Sequence, residues 1–219
     1  TKTAVKHISS EDLVSMETQA VICNSYILSL RPGVPAIQRH GGIGKFMAFS
    51  GVVFTDSGGF QMYSKQLYVR SKEEGVVFRN PFSGEQVFMS PEKSMELQLA
   101  LCADGVMCLD SMPLIEHSKE AVAEAVRKTG MWARRCKLHH DALQVALPAG
   151  QRQLLFGIVQ GGTHEDLRKQ SARELLALDF AGYAIGGLAL GEPKEDEYAM
   201  IDVVKCLLPE EKPLYLMGI

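Results

Sequence analysis

The chain has 219 residues, 46% of them hydrophobic, and balances 23 Lys and Arg against 26 Asp and Glu for a formal net charge of −3. That apolar content excludes a disordered chain, and 20 Gly and 9 Pro without a period exclude a collagen-like one. The longest apolar runs, such as Gly51–Phe54 and Gly105–Leu109, are strand-sized, so no membrane-spanning helix is expected. The opening residues, Thr1 to His7, carry no apolar stretch of a signal peptide, and a cytoplasmic location is expected. Cys23, Cys102, Cys108, Cys136 and Cys206 form an odd set without a CxxC pair, which reads as reduced thiols and no zinc site. The mildly acidic balance argues against gripping nucleic acid by bulk charge, while leaving room for RNA held by a local patch.

In chain order, the first strand-like run is Ala20-Val21-Ile22-Cys23 and the second Val52-Val53-Phe54-Thr55. Gly75–Asn80 and Glu85–Met89, joined by Pro81-Phe82-Ser83-Gly84, read as an inserted antiparallel hairpin. Ser90-Pro91 supplies a cap and a first-turn proline for a helix bearing Met95, Leu97, Leu99 and Leu101. The third run is Val106-Met107-Cys108-Leu109. Ser118 then caps a helix whose buried stripe is Val122, Ala125, Val126, Thr129, Trp132, Ala133 and Cys136. After the fourth run, Leu155–Val159, the sequence Thr163-His164-Glu165-Asp166 resembles a capping box opening a helix that buries Leu167, Ser171, Leu175 and Leu178. Tyr183-Ala184-Ile185 and Leu214–Met217 are the fifth and sixth runs, with a helix-like stretch from Glu195 to Leu208 between them.

Near-continuous apolar runs suit strands buried on both faces, as in a parallel sheet. Six of them with helical crossovers mean an open doubly wound sheet or part of a (β/α)8 barrel. Neither GxGxxG nor GxxxxGK[ST] follows any run, which weakens a nucleotide-binding reading. No repeat, linker or boundary divides the chain, so residues 1–219 form one domain.

The chemistry-bearing residues stand where the runs end. Asn24-Ser25 follows the first, Asp56-Ser57-Gly58-Gly59 the second, Asp110-Ser111 the third, Gln160-Gly161-Gly162 the fourth and Gly186-Gly187-Leu188 the fifth. In an α/β barrel the carboxyl ends of parallel strands converge, which would bring two carboxylates, a carboxamide and several glycine backbones around one pocket. An ionised Asp110 only accepts hydrogen bonds, whereas Gln160 and the amides near Gly187 donate. This set complements a planar lactam such as the edge of guanine, with adjacent N–H donors beside a carbonyl. Phe60 stands either as a base-stacking ring or as a core aromatic. The run Arg127–His140 holds Arg127, Lys128, Arg134, Arg135 and Lys137 without an acid. It reads as a solvated helix face ahead of a phosphate contact, and the adjacent His139 and His140 point too far apart to share a metal.

Thr55-Asp56-Ser57-Gly58-Gly59-Phe60-Gln61, Phe78-Arg79-Asn80-Pro81, Ser90-Pro91-Glu92-Lys93-Ser94, Phe156–Gly161 and Gly186–Pro193 resemble signatures of the tRNA-guanine transglycosylases. Arg31-Pro32-Gly33, Asp110 and Tyr215–Gly218 fit in the same order, so the resemblance covers essentially the whole chain. It implies an irregular (β/α)8 barrel represented here by strands two to seven, with the first and last strands absent. It also implies replacement of guanine in tRNA by a 7-deazaguanine, queuine or a precursor. By that resemblance Asp56 is the general acid/base, Phe60 stacks on the base, and Asp110 binds its Watson–Crick edge. Gln160 and the Gly187 backbone surround its carbonyl, and Leu188, Ala189 and Glu192 read the substituent at position seven. Ser57, Gly58, Gly59 and Met217 complete the substrate-binding set.

The family nucleophile, an aspartate on the last strand, and the family's Cys/His zinc site are expected beyond Ile219, so no metal or cofactor is expected on these residues. Asp202, in the stretch 195–208, reads as a solvated helix residue and not as a replacement. Ser111-Met112-Pro113 and Tyr26-Ile27-Leu28 depart from the common bacterial pattern. Implied partners are tRNA, the deazaguanine base and a second subunit in a homodimer or family heterodimer, with no membrane. Two alternatives stand beside the enzyme: a non-catalytic accessory subunit or inactive fragment of the same family, and an unrelated barrel lyase or hydrolase using Asp56 and Asp110.

Overall fold

A computed structural model describes residues 7–58, 67–113 and 117–218. The strands run in the order β1 (Ala20–Asn24), β2 (Val52–Asp56), β3 (Tyr68–Ser71), β4 (Val76–Arg79), β5 (Gln86–Met89), β6 (Gly105–Met107), β7 (Leu154–Val159), β8 (Gly182–Ile185) and β9 (Leu214–Leu216). The four short helices α1 (Ser10–Ser15), α2 (Ser25–Leu28), α3 (Val34–Arg39) and α4 (Ile43–Phe46) occupy the first fifth of the chain. The longer α5 (Pro91–Ala100), α6 (Lys119–Val145), α7 (Glu165–Leu176) and α8 (Lys194–Lys205) follow β5, β6, β7 and β8. All six expected runs form strands, and they pair in parallel in the order β1-β2-β6-β7-β8-β9.

This sheet is curled. Phe54 on β2 stacks on Tyr215 of β9 with ring centroids 6.3 Å apart, and meets Phe156 of β7 edge-on at 5.3 Å. Four strand steps separate β2 from β9, about 19 Å in a flat sheet at the usual strand spacing. The rings meet because the sheet bends round into an incomplete barrel, filled inside by Met107, Phe156, Ile158 and Ala184 with Ile22, Phe54, Tyr215 and Met217. The larger apolar core lies on the other face, between sheet and helices.

Ser118 caps α6, and the whole expected stripe from Val122 to Cys136 is buried. Ser90 caps α5 by accepting from the amide of Lys93, although Leu97 and Leu99 are only half-buried. The side that faces inward instead carries Ser94, Met95 and Gln98. Gln98 acts as a peptide surrogate between β2 and β6. Its Oε1 accepts from Thr55 Oγ1 (2.9 Å) and from the Met107 amide (3.1 Å), while its Nε2 donates to the Met107 carbonyl (2.9 Å). Backbone pairing between these strands covers only two residue pairs, so the carboxamide ties together the strands that lead to Asp56 and Asp110.

Two expectations are corrected. The inserted hairpin at 75–89 is part of a three-stranded antiparallel sheet, because β3 pairs with β4 through a register shift between Tyr68 and Arg70. The capping box at 163–166 does not form. His164 is the N-cap of α7 without a side-chain cap bond, and Leu178 lies beyond the end of the helix, half-buried. The turn ahead of α7 is shaped by the His164 amide donating to the Gly161 carbonyl (3.1 Å), which starts the helix one residue later than the box requires.

The three-stranded sheet is fastened to α6. Trp132 Nε1 donates to the Glu73 carbonyl at 2.7 Å, Arg135 grips both oxygens of Glu92 at 2.7 Å, and Arg127 bridges Glu73 and Glu124. Lys128 pairs with Glu124 and Lys137 with Asp141. Four of the five cations of the basic run are therefore neutralised by acids, Glu124 and Asp141 on α6 itself and Glu73 and Glu92 outside it, in keeping with a solvated structural face. Asp202 is exposed on α8. No described helix is long and apolar enough to cross a membrane.

Candidate active site

The carboxyl ends of the parallel strands converge as expected. Asp56, Ser57, Asp110, Met112, Gln160, Gly186, Gly187, Leu188, Leu190, Met217 and Gly218 line one cavity of about 40 Å³. Asp56 closes β2, where the register places it opposite Asn24 at the end of β1. Asn24 Nδ2 donates to Asp56 Oδ2 (3.2 Å), and the Gly58 amide donates to Oδ1 (2.9 Å). Gly58 has φ +83°, and a Cβ there would come within 2.9 Å of the Tyr26 side chain, so the turn that aims this amide requires glycine.

Asp110 is 5% exposed and held from three sides. Gln160 Nε2 donates to its Oδ2 at 2.6 Å and Ser57 bonds its carboxylate. The segment around it is pinned to α6, because the amide of Leu109 donates to Cys136 Sγ (3.4 Å) and that of Ser111 to Thr129 Oγ1 (2.9 Å). Gln160 is fully buried, its own amide donates to Ser171 Oγ (3.1 Å), and its Oε1 has no donor among the described residues. Gly187, with φ +65°, packs so closely that a Cβ would lie 2.3 Å from Gln160 Oε1. Any other residue there would displace the carboxamide.

Both carboxyls titrate high. Burial pushes Asp56 up to about 6 against the Gly58 and Asn24 hydrogen bonds, and the charge of Asp110 adds to the rise. Burial pushes Asp110 to about 6 as well, despite the Gln160 and Ser57 bonds. Two neighbouring groups that change protonation just below neutrality are suited to proton transfer and to charge-dependent ligand binding.

Beside the cavity, Glu192 accepts from the amides of Ala189 (2.5 Å) and Leu190 (2.9 Å), with Ala189 at φ +59°. Burial acts to raise the Glu192 pKa, but these amides and the charge of Arg168 outweigh it and hold the carboxyl below its ordinary value. Leu188 is buried and Met217 half-buried at the cavity wall. Gly59 and Phe60 lie outside the described residues. Among the described residues no group of three or more His, Cys, Asp or Glu side chains is arranged to hold a metal ion.

Two contributors escaped the sequence reading. Asn24 was visible only as a polar strand end, and its tie to Asp56 follows from register. Arg168 stands three residues before Ser171 and seven before Leu175, on the buried stripe of α7. A cation at that spacing is the signal that could have revealed it.

Fold and site together define an incomplete parallel α/β barrel with two carboxylates and a carboxamide at the ends of its strands. The chain belongs to the queuine tRNA-ribosyltransferase family, whose model matches residues 1–219. Over its full length it is 46% identical to a queuine tRNA-ribosyltransferase of Pelotomaculum thermopropionicum, covering 57% of that protein. It is 44% identical to proteins of the same description from Bacillus cereus and Bacillus mycoides, covering 56% of each. The chain thus spans little more than half the length of these curated relatives.

Proposed function

We propose that this chain supplies the base-binding and proton-transfer site of a tRNA base-exchange enzyme that replaces guanine by a 7-deazaguanine. The observation that carries the reading is the pair Asp56 and Asp110, both raised to about 6 and lining the same cavity with Gln160 and the Gly187 loop. Ionised Asp110 accepts from the N–H groups of the lactam edge, and Gln160 with the Gly187 backbone meets its carbonyl. The family resemblance assigns Leu188, Ala189 and Glu192 to reading the substituent at position seven and Phe60 to stacking on the ring.

The exchange takes two displacements. A carboxylate attacks the ribose C1′, a C1′–O bond forms as the glycosidic C–N bond breaks, and guanine leaves with the electron pair and takes a proton from Asp56. The incoming deazaguanine then gives its ring N–H proton to the Asp56 carboxylate and attacks C1′, which releases the nucleophile. The nucleophile is the aspartate that the family resemblance assigns to the last barrel strand. Asp56 and Asp110, the carboxylates at the cavity, are committed to proton transfer and base binding.

The test is exchange in the full-length protein. With radiolabelled guanine and unmodified tRNA, label should enter the intact RNA, and an added 7-deazaguanine should displace it. Release of free guanine with an abasic or cleaved RNA would instead indicate a hydrolase or lyase and reject the proposal.

A further inference from the structure

Arg168, in the first turn of α7, is completely buried. It forms no ion pair among the described residues. The charge that acts on it is that of Glu192, which spends its oxygens on the amides of Ala189 and Leu190. The guanidinium is instead filled by four carbonyls. Nε donates to Gly162 (2.8 Å), one Nη to both Val159 (3.0 Å) and Gly186 (2.7 Å), and the other Nη to Gly187 (3.1 Å). Burial draws its pKa down to about 9, which leaves the cation charged at neutral pH.

The four carbonyls come from two loops. Val159 and Gly162 bracket Gln160, whereas Gly186 and Gly187 form the turn against which the Gln160 carboxamide is pressed. We infer that Arg168 is a positioning residue of base exchange: its planar fork ties the Gln160 loop to the Gly187 loop and so sets the width of the slot that receives the base. The inference rests on the base-exchange reading above.

A purely apolar packing role does not account for this arrangement. A buried cation without a carboxylate partner is costly, and an apolar side chain of similar length would fill the volume without that cost. What only the guanidinium offers is donors in a fixed plane, spaced to reach carbonyls on both loops at once. A lysine would keep the charge but present its donors from a single nitrogen, and could not span the same four acceptors.

The test is a KM-against-KM comparison in the full-length protein carrying Arg168→Lys. The KM for the deazaguanine base, and its calorimetric Kd, should rise about tenfold while the KM for tRNA stays within about twofold, because a tRNA makes most of its contacts outside the slot that its one guanine shares with the free base. A folded variant with an unchanged base KM, or one in which both KM values rise together, would overturn the inference. If Arg168→Lys does not fold, Arg168→Gln, which keeps a planar donor pair without charge, is read by the same two constants and the same criteria. Wild-type protein that binds no 7-deazaguanine would reject the base-exchange reading and this inference with it. Normal wild-type binding with an indifferent Arg168 variant would reject this inference alone.

Discussion

On the proposed function, replacing Asp56 with Asn in the full-length protein should lower base exchange by roughly 10²–10⁴-fold, the usual contribution of a positioned acid/base group. The substitution is nearly isosteric, so β1–β2 pairing and the cavity wall should persist and the base should still bind. Departing guanine would then lack its proton donor, and the incoming base its acceptor. The pH dependence follows from the raised pKa of Asp56, about 6. Below that value the group is mostly protonated and competent as the acid, and above it mostly ionised and competent as the base. Exchange needs each state once per cycle, so the wild-type kcat should rise through pH 6 when deprotonation by Asp56 limits the rate. The Asn variant should lose that limb. Near-normal incorporation of labelled guanine by the variant would remove Asp56 from the chemistry.

Asp110→Ala should weaken binding of a 7-deazaguanine by ten- to a hundredfold. Lactam N–H donors left unpaired in a desolvated slot cost roughly 1–3 kcal/mol, toward the upper end when the lost acceptor is charged. Asp110 must be ionised to accept from both donors. Because its pKa is raised to about 6, wild-type affinity should be weak at pH 5, climb as pH passes 6, and level off above 7. The Ala variant should be weak and flat across that window. Calorimetric titration at several pH values reads both effects, and an unchanged affinity would place the base elsewhere.

The site was legible in sequence to the extent that it sits at strand ends. A strand buried on both faces is a continuous apolar run, and Asp56, Asp110 and Gln160 interrupt those runs where backbone pairing stops. What the sequence concealed are the contacts made by side chains far apart in the chain. Gln98 is a polar residue within an apolar helix stripe, and its role as a peptide surrogate exists only because β2 and β6 flank it. Arg168 reads as one more charge on a charged helix until the carbonyls of two loops are brought round it. The short β3 was missed because Tyr68-Val69-Arg70-Ser71 mixes polar and apolar residues and pairs through a bulge. The cations of α6 read as a solvated face, but the partners that Arg127 and Arg135 find in Glu73 and Glu92 could not be named, because they lie more than forty residues away.

On the proposed function, the slot between Asp110 and the Gly187 loop receives the base. As it stands the cavity of about 40 Å³ has room for a water or two, and Gln160 occupies Asp110 at 2.6 Å. A crystal structure with bound 7-deazaguanine tests this directly. The Gln160–Asp110 hydrogen bond should be broken, with Asp110 accepting from the lactam edge, Gln160 turned toward the base carbonyl, and Asp56 facing the ring nitrogen that bonds to ribose. A base bound elsewhere, with the Gln160–Asp110 contact intact, would contradict it.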